Sequence, residues 1–330
     1  MKKIVSILII ILILAVGLSY IFAVNSKGHY KSQNFYIEKG DGSNEIAEKL
    51  KDRGIIGNKL YFKIYSVLSG KASKFVPGDH VLPADLNYGG IAEKLIDAGN
   101  INKEQTITIL EGWSANEIAN YLNERDVITK EEFMAVASID LWRGKYSFLQ
   151  DPKIKSLEGY LFPDTYRIFI DASPSSIIEK MLNNFEVKVT EQMKTDLAQR
   201  GLSLNEAIIM ASIIEKEGKY ANDKKMISDI FWKRIDAKMA LQSDATINYL
   251  TGKGETRSKG SDLEIDSPYN TYKYRGLTPG PIANPGLNSI VASIYPTAND
   301  FYYFITDKNG KAYFAKTFDE HKSNIAKYLE

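Results

Sequence analysis

The sequence predicts an α+β protein in three parts: an N-terminal membrane-spanning helix, a small α/β module and a larger mixed α+β domain. Three observations carry this. An uncharged apolar run occupies residues 4–24 behind Met1-Lys2-Lys3. A unit of strand, glycine turn and Ile-Ala-x-x-Leu helix recurs through the first part of the chain. Residues 205–218 carry apolar side chains all round a helical wheel, the pattern of a helix buried within a core rather than lying on a surface.

At about 1.5 Å per residue the apolar run is long enough to cross a hydrocarbon core of about 30 Å. It exceeds the usual core of a signal peptide, and no small-x-small cleavage site ends it, so it reads as an uncleaved anchor. Lys2, Lys3 and the amino terminus (1–3) then stay cytoplasmic, and everything beyond the span lies outside, although Lys27 and Lys31 weaken that orientation. Residues 25–34 form a polar linker. Two further domains are expected, at 35–104 and 105–330.

Within the first of these, a strand at 35–38 leads through Gly40-Asp41-Gly42-Ser43 into a helix that starts near Asn44 and stops at Gly54, where glycine can take the left-handed terminal conformation. A second helix at 58–68 directs Leu60, Phe62, Ile64 and Tyr65 toward a core. Ile-Ala-Glu-Lys-Leu returns at 91–95. Residues 111–119 then align with 39–47, and Leu122, Arg125 and Ile128 match Leu50, Arg53 and Ile56.

Composition excludes several chemistries. The 330 residues contain no cysteine, so disulfides, thiolate metal sites and cysteine nucleophiles are absent. His29, His80 and His321 are far apart, which argues against a histidine metal site or a serine-histidine triad. The formal charge of +1 gives no basic field for nucleic acid. No phosphate-cradling glycine loop or nucleophile elbow occurs, and no cofactor is implied.

The buried helix ends in Glu215-Lys216-Glu217-Gly218. At about 100° per residue Glu215 projects between Ile208 and Ala211, and Glu217 points to nearly the opposite side, so the two carboxyls cannot share one reacting atom. Apolar surroundings penalise the charged form of a carboxyl, which suits a general acid near neutral pH. The structural alternative is that both acids mark a fraying last turn.

Helices are also expected at 129–138, 175–199 and 227–238, and a hairpin at 301–317 precedes a terminal helix from Asp319. Three irregular segments remain: 157–166, 239–246 and 267–286. The last holds four prolines and three glycines, with tyrosines and asparagines expected to project outward and grip a polyhydroxylated chain. Ser243 or Asp244 is a candidate cap for a helix from Thr246.

The strand-helix-helix-strand pattern over about 35–103 resembles the LysM module, which binds the N-acetylhexosamine backbone of wall polymers; a plain spacer is the alternative. Five blocks in order, Glu158 to Tyr166, Ala211 to Glu217, Leu241 to Thr246, Tyr269 to Tyr272 and Gly276 to Ile282 with Asn284-Pro285-Gly286, closely resemble the endolytic murein transglycosylase, or YceG-like, family. Thr278 stands where many members have a proline.

The resemblance implies that Glu215 is the catalytic acid. Glu215 would protonate the bond between N-acetylmuramic acid and N-acetylglucosamine, then accept the C6 hydroxyl proton as that oxygen attacks C1, leaving a 1,6-anhydro end. Gln242, Asp244, Tyr269, Asn270, Tyr272, Asn284 and Glu158 are the candidates for holding substrate or orienting the acid. Implied partners are peptidoglycan strands, the cytoplasmic membrane, and peptidoglycan synthases or divisome proteins. The rivals are a muramidase in which Glu215 and a second acid such as Asp244 activate water, and a tethered wall-binding protein without catalysis.

Overall fold

The computed structural model describes residues 30–100, 104–170, 172–253 and 260–329, together with 11, 17, 20 and 21. The expected membrane span lies outside the described residues except for those last four. Among the described residues no helix is long and apolar enough to cross a membrane. The chain divides into two compact units, Met1–Gln105 with Phe169–Asp171, and Thr106–Ile168 with Ala172–Glu330.

The first unit runs β1 (Gln33–Ile37), α1 (Ser43–Asp52), α2 (Lys59–Leu68), β2 (Gly78–Leu82) and α3 (Tyr88–Ile96). β1 and β2 pair antiparallel, with Phe35 opposite His80. Phe35, Ile46, Leu50, Phe62, Ile91 and Leu95 are buried in its core. Leu60 is a correction: it is 56% exposed. Two positions before Phe62 it lies about 200° round the helix, on the side away from the buried stripe of Phe62, Tyr65 and Ser66.

β3 (Glu104–Thr108) pairs with β4 (Thr165–Phe169); most residues of both strands belong to the second unit, whose body is largely helical. Its helices are α4 (Ala115–Glu124), α5 (Lys130–Val136), α6 (Pro174–Lys188), α7 (Glu191–Gln199), α8 (Leu204–Glu217), α9 (Ala221–Asp236), α10 (Asp244–Thr251), α11 (Gly260–Leu263), α12 (Leu287–Ile294) and α13 (Phe318–Tyr328). β5 (Tyr303–Thr306) and β6 (Ala312–Ala315) form the expected hairpin.

The repeat has a structural counterpart. Ile118, Ala119 and Leu122 of α4 are fully buried, as are Ile46, Ala47 and Leu50 of α1. The turns before the two helices hold Gly40 at φ 105° and Gly112 at φ 80°, a region that favours glycine. Ser114 and Glu117 close a capping box on α4, satisfying two free N–H groups at its start.

Two helix boundaries differ from expectation. The segment 175–199 is two helices, because Val189 leaves the helical conformation at ψ 88° and Thr190 caps α7 by accepting the Met193 N–H. α9 begins at Ala221, ahead of the expected start at Ile227; hydrophobic spacing cannot see a first turn dominated by Asn222, Asp223 and Lys224.

α8 packs against α7, α9, α10 and α12. Ile208, Met210, Ile213 and Ile214 are fully excluded from solvent. Burying each is worth roughly 1.5–3 kcal/mol. That is enough to offset the several kcal/mol per ion that burying a charge at the helix end costs.

Candidate active site

The last turn of α8 delivers Glu215, and the first turn of α9 delivers Lys224. Gly218 joins the helices so tightly that a Cβ there would stand 3.0 Å from Lys224 Cγ. Lys224 Nζ donates to Glu215 Oε1 at 2.8 Å, with side chains only 4% and 7% exposed. The other oxygen, Oε2, accepts the Gly286 N–H at 3.0 Å and the Ser289 hydroxyl at 2.6 Å. Both donors belong to the start of α12, where free N–H groups and the helix dipole favour an anion.

This corrects the expected environment of Glu215. The apolar residues of α8 bury the helix, but the carboxylate itself meets an ammonium, a backbone N–H and a hydroxyl. Glu215 lines an open cleft of about 470 Å³ together with Glu111, Lys216, Glu217, Lys219, Lys224 and Thr306.

A second carboxyl enters from the turn before α4. Gly112 N–H donates to Asn284 O and Asn284 N–H donates to Trp113 O, both at 2.8 Å, so this turn is laced to the segment before α12. The lacing brings Glu111 onto Gly286: a Cβ on Gly286 would stand 1.9 Å from Glu111 Oε1. Partial screening of its carboxyl from water first, and then the neighbouring Glu215, push exposed Glu111 up, while Lys224 opposes them.

Glu217 serves a different cluster. Its carboxyl accepts from the Ser243 hydroxyl, and burial pushes it up, with Asp244 adding to the rise. Ser243 precedes α10 but makes no side-chain cap; its hydroxyl goes to Glu217 and its N–H to Thr271 Oγ1. The two acids of α8 therefore have separate partners, as the helical spacing predicts.

The remaining sequence candidates fall into two groups. Gln242 is exposed, at φ 52°, and its N–H donates to Thr271 O. Asp244 accepts from the Tyr272 hydroxyl at 3.0 Å. Tyr269 is half-buried against the Tyr249 ring, and burial pushes its phenol up. Asn270 and Asn284 are fully buried rather than projecting outward. Asn270 Nδ2 donates to Leu263 O and Ile265 O, and its Oδ1 accepts the Tyr272 N–H. Asn284 Oδ1 accepts from the N–H groups of Gly159 and Leu161, and its Nδ2 donates to Trp113 O and Glu158 Oε1. The amides of both asparagines hold loop backbone in place.

Glu158 is the third unusual acid. It accepts the Ala115 N–H at the start of α4 and the Asn284 amide. Burial nevertheless pushes its carboxyl up to about 7, above an ordinary 4.5, with the N–H of Ala115 opposing. Protonation is thus favoured by folding, so the stabilisation is complete below about pH 4.5 and is lost as pH rises to about 7. Across that window Glu158→Gln is expected to remove about 3 kcal/mol of the pH-dependence of unfolding, by the linkage of pKa shift to stability. Parallel wild-type and variant stability curves from urea titrations would refute it.

Sequence reasoning passed over Glu111, Lys224 and Ser289. Glu111 did carry a signal, since it stands where the first copy of the repeat has Lys39, a charge reversal at a position otherwise matched. Lys224 and Ser289 carried none, being ordinary polar residues in the first turns of helices.

A sequence model described as the YceG-like family matches residues 35–327. The chain belongs to the YceG-like family. It is 35% identical over 307 residues to a Bacillus subtilis protein named endolytic murein transglycosylase, spanning 90% of this chain and 84% of that one. A Streptococcus pneumoniae protein of the same name is 31% identical over 319 residues, which cover 89% of this chain but 58% of the streptococcal one. The 2.6 Å crystal structure of a YceG-like protein from Listeria monocytogenes superposes with a TM-score of 0.61 at 31% identity, over 90% of this chain and 99% of that one. In this YceG-like chain the five blocks named from the sequence lie in the unit that holds the Glu215 cleft.

Proposed function

We propose that this chain is an endolytic lytic transglycosylase that cuts the β-1,4 bond between N-acetylmuramic acid and N-acetylglucosamine within peptidoglycan strands. The observation that carries the reading is Glu215: one carboxyl, fixed by three donors in the wall of an open cleft, in a chain whose similar relatives are named endolytic murein transglycosylases.

Glu215 in its acid form gives its proton to the glycosidic oxygen as the C1–O bond breaks. As positive charge grows on the sugar ring, Glu111 supplies a negative or polar group along the same cleft, a form of electrostatic stabilisation that usually dominates such steps. Glu215 then takes the proton of the muramic C6 hydroxyl while that oxygen bonds to C1. The products are a 1,6-anhydromuramoyl end and a free C4 hydroxyl, and no water is consumed. Ordinary glycosidases place a second carboxyl for water or for a covalent intermediate. Asp244, the sequence candidate for that task, is bonded to Tyr272 and stands beside Glu217 rather than Glu215.

The same reading assigns residues 4–24 as a single-pass anchor in the bacterial cytoplasmic membrane, 25–34 as a linker, 35–104 as a LysM-like module and 105–330 as the catalytic domain outside the membrane. Cutting nascent strands would end their elongation and place the protein beside peptidoglycan synthases or divisome proteins. Gln242, Asp244, Tyr269 and Tyr272 are the proposed contacts for sugar; Glu158, Asn270 and Asn284 hold the loops that present them.

The test is digestion of uncrosslinked glycan by the full chain in detergent, followed by mass analysis of the fragments. Anhydro ends within shortened strands are expected. Reducing ends would make the protein a muramidase, and binding without cleavage would make it a wall-binding module.

A further inference from the structure

α2 is apolar on two sides, and the core of the first unit uses only one. At about 100° per residue Phe62, Tyr65 and Ser66 face that core, whereas Leu60, Ile64, Val67 and Leu68 fall within an arc of about 100° on the opposite side. Leu60, Val67 and Leu68 are 56%, 64% and 55% exposed. Water disfavours an aliphatic stripe of this kind, and a helix that serves a single core carries polar residues there instead. Leu60 and Ile64, which the sequence spacing directs toward the core, belong to this second face.

The edges of the face are as informative as its centre. Lys59 and Lys63 border the arc on one side, and Tyr61 and Tyr65 on the other. Residues 59–75 hold four lysines, Lys59, Lys63, Lys71 and Lys74, and no aspartate or glutamate. Lys59 pairs with Glu48 and Lys71 with Glu93, so part of this charge is met within the unit. Ammonium tips on long stems and tyrosines with polar tips, set along an aliphatic stripe, make up a helix that lies in the plane of a lipid headgroup layer. Glycan is a poor match, because aliphatic side chains offer sugar hydroxyls no hydrogen bond.

Tyr20 ties this face to lipid. It belongs to the apolar run at 4–24, and its ring stacks on that of Tyr65 with centroids 5.5 Å apart. Four residues separate Tyr20 from the end of the run at Val24, about 6 Å at the rise of a helix. An anchor spanning the bilayer therefore holds Tyr20 near the headgroup boundary, where tyrosine is favoured. Through the stacked rings Tyr65, and with it the rim of the second face of α2, is held at the same depth.

We propose that the face formed by Leu60, Ile64, Val67 and Leu68 seats the first unit on the bilayer surface beside the anchor, with Lys63 at its edge among anionic headgroups. This rests on the anchor assigned to residues 4–24 above and goes beyond it. A single span limits only how far the unit can stray from the membrane. A seated face also decides which side of the unit turns toward it.

The chain has no cysteine, so one introduced cysteine can carry an environment-sensitive fluorophore in the full-length protein. The labelled protein is reconstituted in vesicles of phosphatidylglycerol and phosphatidylethanolamine. The probe at Val67→Cys is expected to lose at least about half of its fluorescence when the lipids carry a nitroxide near their headgroups, the depth to which an interfacial helix is buried. Adding Leu60→Glu and Leu68→Glu, both at exposed positions, is expected to restore that fluorescence without changing the urea unfolding midpoint. Quenching that survives both glutamates would mean that the unit merely drifts within reach of lipid, and would overturn the proposal. A probe at Ile11→Cys, near the middle of the apolar run, reports on the anchor separately when the nitroxide sits deep in the acyl chains. If Ile11→Cys is quenched while Val67→Cys stays bright, the anchor stands and the seated face is refuted; shielding of that bright probe from aqueous iodide would show that something other than lipid covers it. An unquenched probe at Ile11→Cys would instead overturn the anchor on which the proposal rests.

Discussion

Glu215→Gln is expected to fold with a near-native melting temperature and to lose at least about 10²-fold in turnover, the lower range for general acid-base catalysis. The substitution keeps size and shape, which matters at this position. The carboxylate it replaces is wedged between Lys224, Gly286 and Ser289, and a shorter side chain would open a cavity at the junction of α8, α9 and α12. The glutamine oxygen can still accept from Gly286 and Ser289, while its amide nitrogen must face the Lys224 ammonium. Some loss of stability follows from that donor-donor contact, so activity is to be measured at a temperature where both proteins are folded. Cosedimentation with glycan separates binding from chemistry: binding should be kept and product formation lost. Substantial turnover in the folded variant would pass the acid role to Glu111 or Glu217, the other carboxyls of the cleft.

The parts of this molecule that could be read from its sequence are those in which one local rule acts alone. The repeat was legible because a glycine at positive φ and an Ile-Ala-x-x-Leu stripe each leave a residue pattern, and the burial of Ile46, Ala47, Ile118 and Ala119 follows it. The divergence of Glu215 and Glu217 was legible because helical geometry alone decides it. The chemical surroundings of Glu215 were not. They come from Lys224, nine residues on, and from Gly286 and Ser289, more than seventy residues away, and nothing in α8 encodes them. Apolar neighbours in sequence suggested apolar neighbours in space. At a helix end that inference fails, because the last turn leaves the layer its own helix packs in. Asn270 and Asn284 mislead for a related reason. In a loop rich in proline and glycine, few backbone groups pair with one another, so buried asparagines take over that task instead of reaching for a ligand.

Lys224→Met should be the most destabilising of the single substitutions at the cleft, by about 3–5 kcal/mol, the usual cost of breaking a buried ion pair from one side. Methionine keeps the length and much of the apolar stem, which matters because the stem packs on Gly218, where a Cβ would come within 3.0 Å of Lys224 Cγ. What is lost is the ammonium, and the loss leaves Glu215, whose side chain is 7% exposed, with two neutral donors and no counter-charge. If that uncompensated carboxylate is the source of the cost, removing its charge should remove most of the cost. The Lys224→Met, Glu215→Gln double variant is then expected to recover at least about half of the stability lost by Lys224→Met, a coupling of more than about 1.5 kcal/mol between the sites. Urea unfolding of the four proteins at constant pH and salt measures it. Additive losses would mean that Lys224 acts through the packing of its stem, and that the electrostatic design drawn here for the end of α8 is wrong. A recovered double variant would show that the fold tolerates the site without either charge. The ion pair would then be held in this cleft for the chemistry of Glu215, since neutral side chains of the same shape would serve stability as well.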